Sequence, residues 1–189
     1  MPLLRPDGPA AVLFDRDATL VVDVPYNSDP ELVEPMPTAL DAVRTLRAAG
    51  LPLGVVSNQS GVARGLITPA QLDAVNARVD DIFGGFDTWQ VCPHGTDDGC
   101  ACRKPQPGLV LAAAAALGVA PADVVVVGDI GSDLGAAAAA GARGVLVPTP
   151  VTRDDEVAQA PLVAATLAEA VELILGPPRS RSSPVSTLR

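Results

Sequence analysis

The sequence predicts an α/β fold: a three-layer, Rossmann-like sandwich around a mostly parallel five-stranded sheet, with no large cap domain. Short apolar runs at residues 12–14, 53–57, 87–91, 124–127 and 144–147 alternate with stretches of helical periodicity. Strands joined by crossover helices give that alternation. The run Val124, Val125, Val126, Val127 has no polar face, as expected of a strand covered by helices on both sides. Polar residues follow three of the runs directly, at the strand ends where an open parallel sheet binds its ligands.

The elements follow in order. The first strand runs into Asp15, with Asp17 two positions on. Residues 15–37 form a long connection with several prolines, a size that carries function or a small flap over a site. Thr38 is expected to cap a helix through Leu40, Val43, Leu46 and Ala49, with Gly50 ending it. The second strand opens into the polar turn Ser57, Asn58, Gln59, Ser60, Gly61. Thr68 and Pro69 start a helix whose apolar stripe is Leu72, Val75, Val79 and Ile82. Residues 92–105 read as an irregular loop, and residues 107–117 as an alanine-rich helix stopped by Gly118. The fourth strand delivers Gly128 and Asp129. Ser132 is expected to cap a helix through Ala140, and Gly141 to close it. A last helix is expected over 162–175, giving one domain over residues 1–175. Residues 176–189, rich in Pro, Ser and Arg, read as a disordered tail.

Composition narrows the function classes. A chain of 189 residues supports one domain with a substantial core and is short for two. Its net charge of -9 and pI of about 4.4 work against nucleic acid as a partner, whose binding rests on neutralising phosphates over a wide surface. Hydrophobic residues make up 48%, a share inflated by alanine, and no apolar run reaches the length of a membrane span. The amino terminus lacks the apolar core of a signal peptide, so the expectation is a cytoplasmic, monomeric protein acting on a small metabolite. Of 13 basic residues only Lys104 is a lysine, which asks what that ammonium does.

Three strand ends project polar groups toward one crevice: Asp15 and Asp17, Ser57 and Asn58, Asp129 and Asp133. Asp is common at any strand exit, because it bonds nearby amides, but recurrence at three distant places is harder to assign to turns alone. Carboxylates gathered there repel each other unless a cation sits among them. A hard divalent ion, magnesium, is expected on Asp15, Asp129 and a backbone carbonyl near Asp17.

Cys92-x-His94-x5-Cys100-x-Cys102 is an independent signal. It places every cysteine and the only histidine in one loop, and the ligand types suit tetrahedral zinc. Four protein ligands leave no position for water, which implies a structural site that staples the loop. A disulfide or free buried thiols are the alternatives, and a chain without a secretory signal disfavours the first. Arg103 and Lys104 follow the last ligand, so the metal would fix where both cations point. Arg103 can fork onto a phosphate, while Lys104 acts as a point charge beside Asp15.

Asp15-Arg16-Asp17-x-Thr19, the stretch Ser57 to Gly65, Cys92-Pro93-His94, Cys100-Ala101-Cys102-Arg103-Lys104-Pro105 and Gly128-Asp129-x3-Asp133 together resemble the haloacid dehalogenase superfamily of phosphatases. Within it they are most similar to the branch acting on heptose 1,7-bisphosphate, whose near neighbour acts on histidinol phosphate. The resemblance implies a magnesium-dependent phosphatase in which Asp15 is the nucleophile, Asp17 the general acid and base, and Lys104 a catalytic cation. It implies substrate binding by Ser57, Asn58, Gln59, Arg64 and Arg103, magnesium on Asp15, Asp17 and Asp129, and Asp133 supporting them. Tyr26 lies on a loop that could reach the rest of the substrate, and Asp23, Asp29 or Glu31 could face the cationic end of histidinol phosphate. Other members of the superfamily act on DNA ends, which the acidic charge disfavours. A non-catalytic scaffold with the same fold would not need Asp15, Asp17, Lys104 and Asp129 together. Two positions depart from the branch pattern: Ala18 stands where Gly is usual, so the turn is expected to avoid positive φ, and Ile130 stands where Lys is frequent.

Overall fold

The computed structural model describes residues 8–176, so the expected tail, apart from Gly176, lies outside the described residues. Five strands, β1 (Ala11–Phe14), β2 (Leu53–Asn58), β3 (Thr88–Cys92), β4 (Val124–Gly128) and β5 (Arg143–Leu146), form one sheet of order β3-β2-β1-β4-β5. Every pairing is parallel. Helices α1 (Ala39–Ala48), α2 (Pro69–Phe83), α3 (Gly108–Leu117), α4 (Gly131–Ala140), α5 (Asp154–Gln159) and α6 (Leu167–Leu175) complete it.

Two apolar clusters flank the sheet, and side-chain alternation along each strand decides which cluster a residue joins. Val12, Phe14, Val125 and Val127 pack with α1, α2 and α6. Ala11, Leu13, Val124 and Val126 pack with α3 and α4. A strand buried on both faces has no solvent-facing side for unpartnered polar residues, which accounts for the four consecutive valines of β4. Phe14 is 1% exposed, and truncating such a side chain to Ala costs about 3–5 kcal/mol.

The expected long connection folds back on itself. Val21 bridges Pro35, Val22 N–H donates to the Glu34 carbonyl, and Met36 N–H donates to the Leu20 carbonyl. A short 3-10 turn, Pro30–Leu32, lies at its far end, capped by Asp29.

Several boundaries differ from expectation for local reasons. The α2 start is as read: Thr68 and Gln71 form a reciprocal capping pair. Thr38 precedes α1 at φ +65° and makes no side-chain capping bond. Ser132 sits inside the first turn of α4, because the Asp133 carboxylate accepts from Ile130 N–H and starts the helix two residues earlier. The last helix begins at Leu167 and not at 162, since the preceding residues run extended beside β5: Val163 bridges Leu146 and Ala164 N–H donates to the Leu146 carbonyl. Helix α5 was not anticipated; its six residues have no apolar period, and its first turn is Asp154, Asp155 and Glu156. Among the described residues no helix is long and apolar enough to cross a membrane.

Candidate active site

β1 and β4 are neighbours, yet the chain leaves β1 toward β2 and leaves β4 toward β5. Loops diverging from adjacent parallel strands open a crevice at their carboxyl ends. Asp15 stands one residue beyond β1, its N–H donating to the Val127 carbonyl at 2.9 Å, and Asp129 one residue beyond β4. The cleft above them encloses about 580 Å³, within the range of small-molecule sites. Its walls include Asp15, Asp17, Asn58, Gln59, Arg103, Lys104, Asp129 and Asp133.

Lys104 is the hub. Its Nζ lies 2.6 Å from Asp15 Oδ1, 2.6 Å from Asp133 Oδ1 and 2.8 Å from the Val56 carbonyl. Three acceptors match the three protons of an ammonium, which is how a lysine only 4% exposed stays charged. Burial favours its neutral form, but the carboxylates of Asp133 and Asp15 outweigh burial and hold its pKa above the ordinary value. The Lys104 backbone is fixed as well: Asn58 Oδ1 accepts from its N–H at 3.0 Å, and Asn58 Nδ2 donates to its carbonyl at 3.1 Å.

One oxygen each from Asp15, Asp129 and Asp133 lie within 4.8 Å of one another, all three residues buried. Burial pushes Asp15 well above the usual carboxylate range, with Lys104 opposing and Asp133 and Asp17 adding to it. Burial, and then Asp133, push Asp129 up to about 7. Three carboxylates against one ammonium leave two negative charges over, the charge a hard divalent cation would offset. Asp133 has one oxygen on Lys104 and the other on Ile130 N–H at 3.3 Å, so Asp15 and Asp129 are the carboxylates best placed to hold such an ion directly.

Asp17 faces the cleft but outside that trio. Its carboxylate receives Arg16 Nε and Nη2, each at 3.0 Å, and Gln59 Nε2 at 2.7 Å. Arg16 is buried and also donates to Asn76 Oδ1 at 2.7 Å. The sequence reading missed Arg16; its place between the two aspartates was the available signal. Gln59, expected to touch substrate, also binds Ser57 Oγ at 2.8 Å and so ties Asp17 to the end of β2. Ser57 is fully buried beneath the cleft. Arg64 stands apart from the cleft walls: it donates to the Tyr26 hydroxyl at 2.7 Å, with its guanidinium 5.9 Å from the ring centre. Tyr26 and Asp23 line the cleft mouth, while Asp29 and Glu31 are engaged in the 3-10 turn. Ala18 overturns its expectation: it adopts φ +57°. The N–H groups of Leu20 and Val21 both donate to the Arg16 carbonyl at 3.0 Å, a tight loop that forces the left-handed residue.

Cys92, His94, Cys100 and Cys102 also converge. Cys92 Sγ lies 3.0 Å from Cys102 Sγ and 3.7 Å from Cys100 Sγ, and His94 Nδ1 lies 3.5 Å from Cys92 and 3.2 Å from Cys102. The edge of a ZnS4 tetrahedron with Zn–S bonds of 2.3 Å is about 3.8 Å, so this donor set has the size and chemistry of a closed zinc site. Burial pushes the Cys92 thiol up to about 12, and a cation is what makes a thiolate there favourable. Arg103 is turned back on this loop, donating to the His94 carbonyl at 3.3 Å.

Comparison with known proteins agrees with this geometry. A family model described as HAD-hydrolase-like matches residues 101–170. The D-glycero-β-D-manno-heptose-1,7-bisphosphate 7-phosphatase of Pseudomonas putida is 39% identical over 153 residues, 79% of this chain and 83% of that protein. The Escherichia coli K12 protein of the same name is 37% identical over 160 residues, 77% of this chain and 84% of its own length. Among solved structures, the D,D-heptose 1,7-bisphosphate phosphatase of Bordetella bronchiseptica, complexed with magnesium and phosphate, superposes with a TM-score of 0.76 at 35% identity, covering 87% of this chain and 98% of that one.

Proposed function

The chain belongs to the HAD-like hydrolases that include the D-glycero-β-D-manno-heptose-1,7-bisphosphate 7-phosphatases, and from that premise we propose that it is a magnesium-dependent phosphatase removing the 7-phosphate of this sugar bisphosphate. The observation that carries the reading is the Lys104 ammonium seated between Asp15 and Asp133, with Asp129 beside them at the floor of the cleft. A solvated basic residue would not be buried on three acceptors.

Asp15 attacks phosphorus; its oxygen forms the new P–O bond as the bond from phosphorus to the C7 oxygen of the sugar breaks. Asp17 gives the departing oxygen its proton. It then takes a proton from the water that attacks the aspartyl-phosphate, which frees inorganic phosphate and restores the Asp15 carboxylate. Arg16 and Gln59 hold Asp17 at the cleft wall throughout. Asp15 and Asp129, with a backbone carbonyl near Asp17, would hold magnesium, which supplies charge neutralisation at the phosphoryl oxygens when bound. Lys104 offsets the carboxylates so that a phosphate dianion can approach Asp15. Arg103 and Asn58 at the rim, with Gln59, are the groups next to the rest of the substrate, and Arg64 acts there through Tyr26. Zinc on Cys92, His94, Cys100 and Cys102 would fix the loop that carries Arg103 and Lys104.

The test is phosphate release with magnesium from heptose 1,7-bisphosphate and from histidinol phosphate. The expected result is the larger kcat/KM for the sugar. A preference for histidinol phosphate of tenfold or more would overturn the substrate. Undiminished release by Asp15→Asn would overturn the mechanism.

A further inference from the structure

The turn that carries Asp129 and Asp133 is gripped from outside by a segment that follows β5. We propose that Thr152 and Glu156 are positioning residues of the cation site, clamping this turn so that it is set for magnesium before the ion arrives. The inference rests on the reading of Asp15 and Asp129 as magnesium ligands.

Beyond the last β4 residue, the backbone has left the ladder and needs other partners. The Asp129 carbonyl accepts from Thr152 Oγ1 at 2.7 Å. That hydroxyl in turn accepts from Thr149 N–H at 2.8 Å and lies 3.4 Å from Thr149 Oγ1, so the Asp129 carbonyl at 2.7 Å is the shorter of the two acceptors its proton can reach. Ile130 N–H is taken by Asp133. Gly131 N–H donates to Glu156 Oε1 at 3.1 Å, while Glu156 Oε2 accepts from Arg153 N–H at 3.1 Å and the Arg153 guanidinium approaches Oε1 at 3.3 Å. Consecutive peptide groups from 129 to 131 are therefore pinned by side chains, two of them from a segment more than twenty residues later in the chain.

Neither Thr152 nor Glu156 lines the cleft, and neither is needed to bury the core. Their contacts converge on the one turn whose carboxylates must hold a small, geometrically demanding ion. Glycine at 131 fits this picture: a Cβ there would stand 2.8 Å from Glu156 Oε1 and 3.0 Å from its Cγ, so α5 can approach the amide only because no side chain intervenes. Partners behind a metal ligand typically change metal affinity by about 10–100-fold when removed.

The experiment measures magnesium binding to the full-length protein by isothermal titration calorimetry, with kcat recorded as a function of magnesium. Thr152→Val, which keeps size and removes the hydrogen bond, is expected to raise the magnesium Kd about tenfold, with kcat largely recovered at saturating magnesium. Thr152→Ser should restore the affinity. Gly131→Ala, which pushes Glu156 off the amide and leaves Thr152 in place, should weaken binding in the same direction. Folded Thr152→Val and Gly131→Ala proteins with wild-type magnesium affinity would overturn the clamp. Wild-type protein that binds no magnesium would overturn the metal assignment beneath it, before any variant is compared.

Discussion

Lys104 Nζ lies 2.6 Å from a carboxylate oxygen of Asp15, a residue 89 positions earlier in the chain. The same nitrogen pairs with Asp133, so one cation holds together the ends of β1 and the start of α4. Lys104→Met should therefore act on stability and on catalysis at once. Removing one partner of a buried ionic group leaves the carboxylates uncompensated, at a cost of about 3–5 kcal/mol. The kcat should fall by about 10²–10³, as for loss of one preorganised charge. On the proposed assignment magnesium would bind the folded site and not the unfolded chain, so it should return part of the lost stability. Thermal melts with and without magnesium check this, and a variant as stable as wild type in both would contradict it.

Asp17 separates two chemical steps that one substrate series can resolve. An alkyl phosphate needs its leaving oxygen protonated, whereas p-nitrophenolate leaves unaided. Asp17→Asn should slow sugar-phosphate hydrolysis by about 10²–10⁴. On p-nitrophenyl phosphate it should release a burst of p-nitrophenol stoichiometric with enzyme and then turn over slowly, because hydrolysis of the aspartyl-phosphate still needs a base. Stopped-flow absorbance reads the burst, and its absence would take the two-step role away from Asp17.

What the sequence disclosed and what it hid have physical causes. Strand ends were legible because carboxylates directly after apolar runs have few other reasons to recur, and Asp15 and Asp129 do meet. Lys104 stood out as the only lysine. The tie between Arg16 and Asp17 was hidden, since both lie in the turn beyond β1, where no periodicity tells which way neighbouring side chains point. Helix α5 was hidden because six residues give no periodicity, and its Glu156 makes its contact with Gly131 across 25 residues. Ser132 was misread as a cap because Asp133 does that work from inside the helix, while also binding Lys104.

If Cys92, His94, Cys100 and Cys102 hold zinc as proposed, its removal should loosen residues 92–105 before it touches the proposed magnesium site. The loop supplies Lys104, so activity should fall as a consequence of lost order rather than lost chemistry. A strong chelator, followed by gel filtration and magnesium readdition, should give protein with a lowered melting temperature and reduced kcat, both restored by zinc alone. Metal analysis beside the assay checks the ordering; full activity in protein shown to be zinc-free would contradict it.

Ala18 offers a change in the stabilising direction. Its φ of +57° lies in the left-handed region, where a Cβ is unfavourable and Gly is not. The strain is imposed by the two N–H groups that converge on the Arg16 carbonyl, contacts Gly would keep. Ala18→Gly gains by relieving the backbone and loses by adding freedom to the unfolded chain, terms of about 1–2 and 0.4–1 kcal/mol. The net expectation is a gain of about 0–1.6 kcal/mol, each kcal/mol being a rise of about 2–4 °C in a domain of this size. Ala18 lines the cleft but offers only a methyl group there, with no polar atom for the substrate, so kcat should hold while Tm rises. A fall in Tm for Ala18→Gly would mean that the turn is not strained.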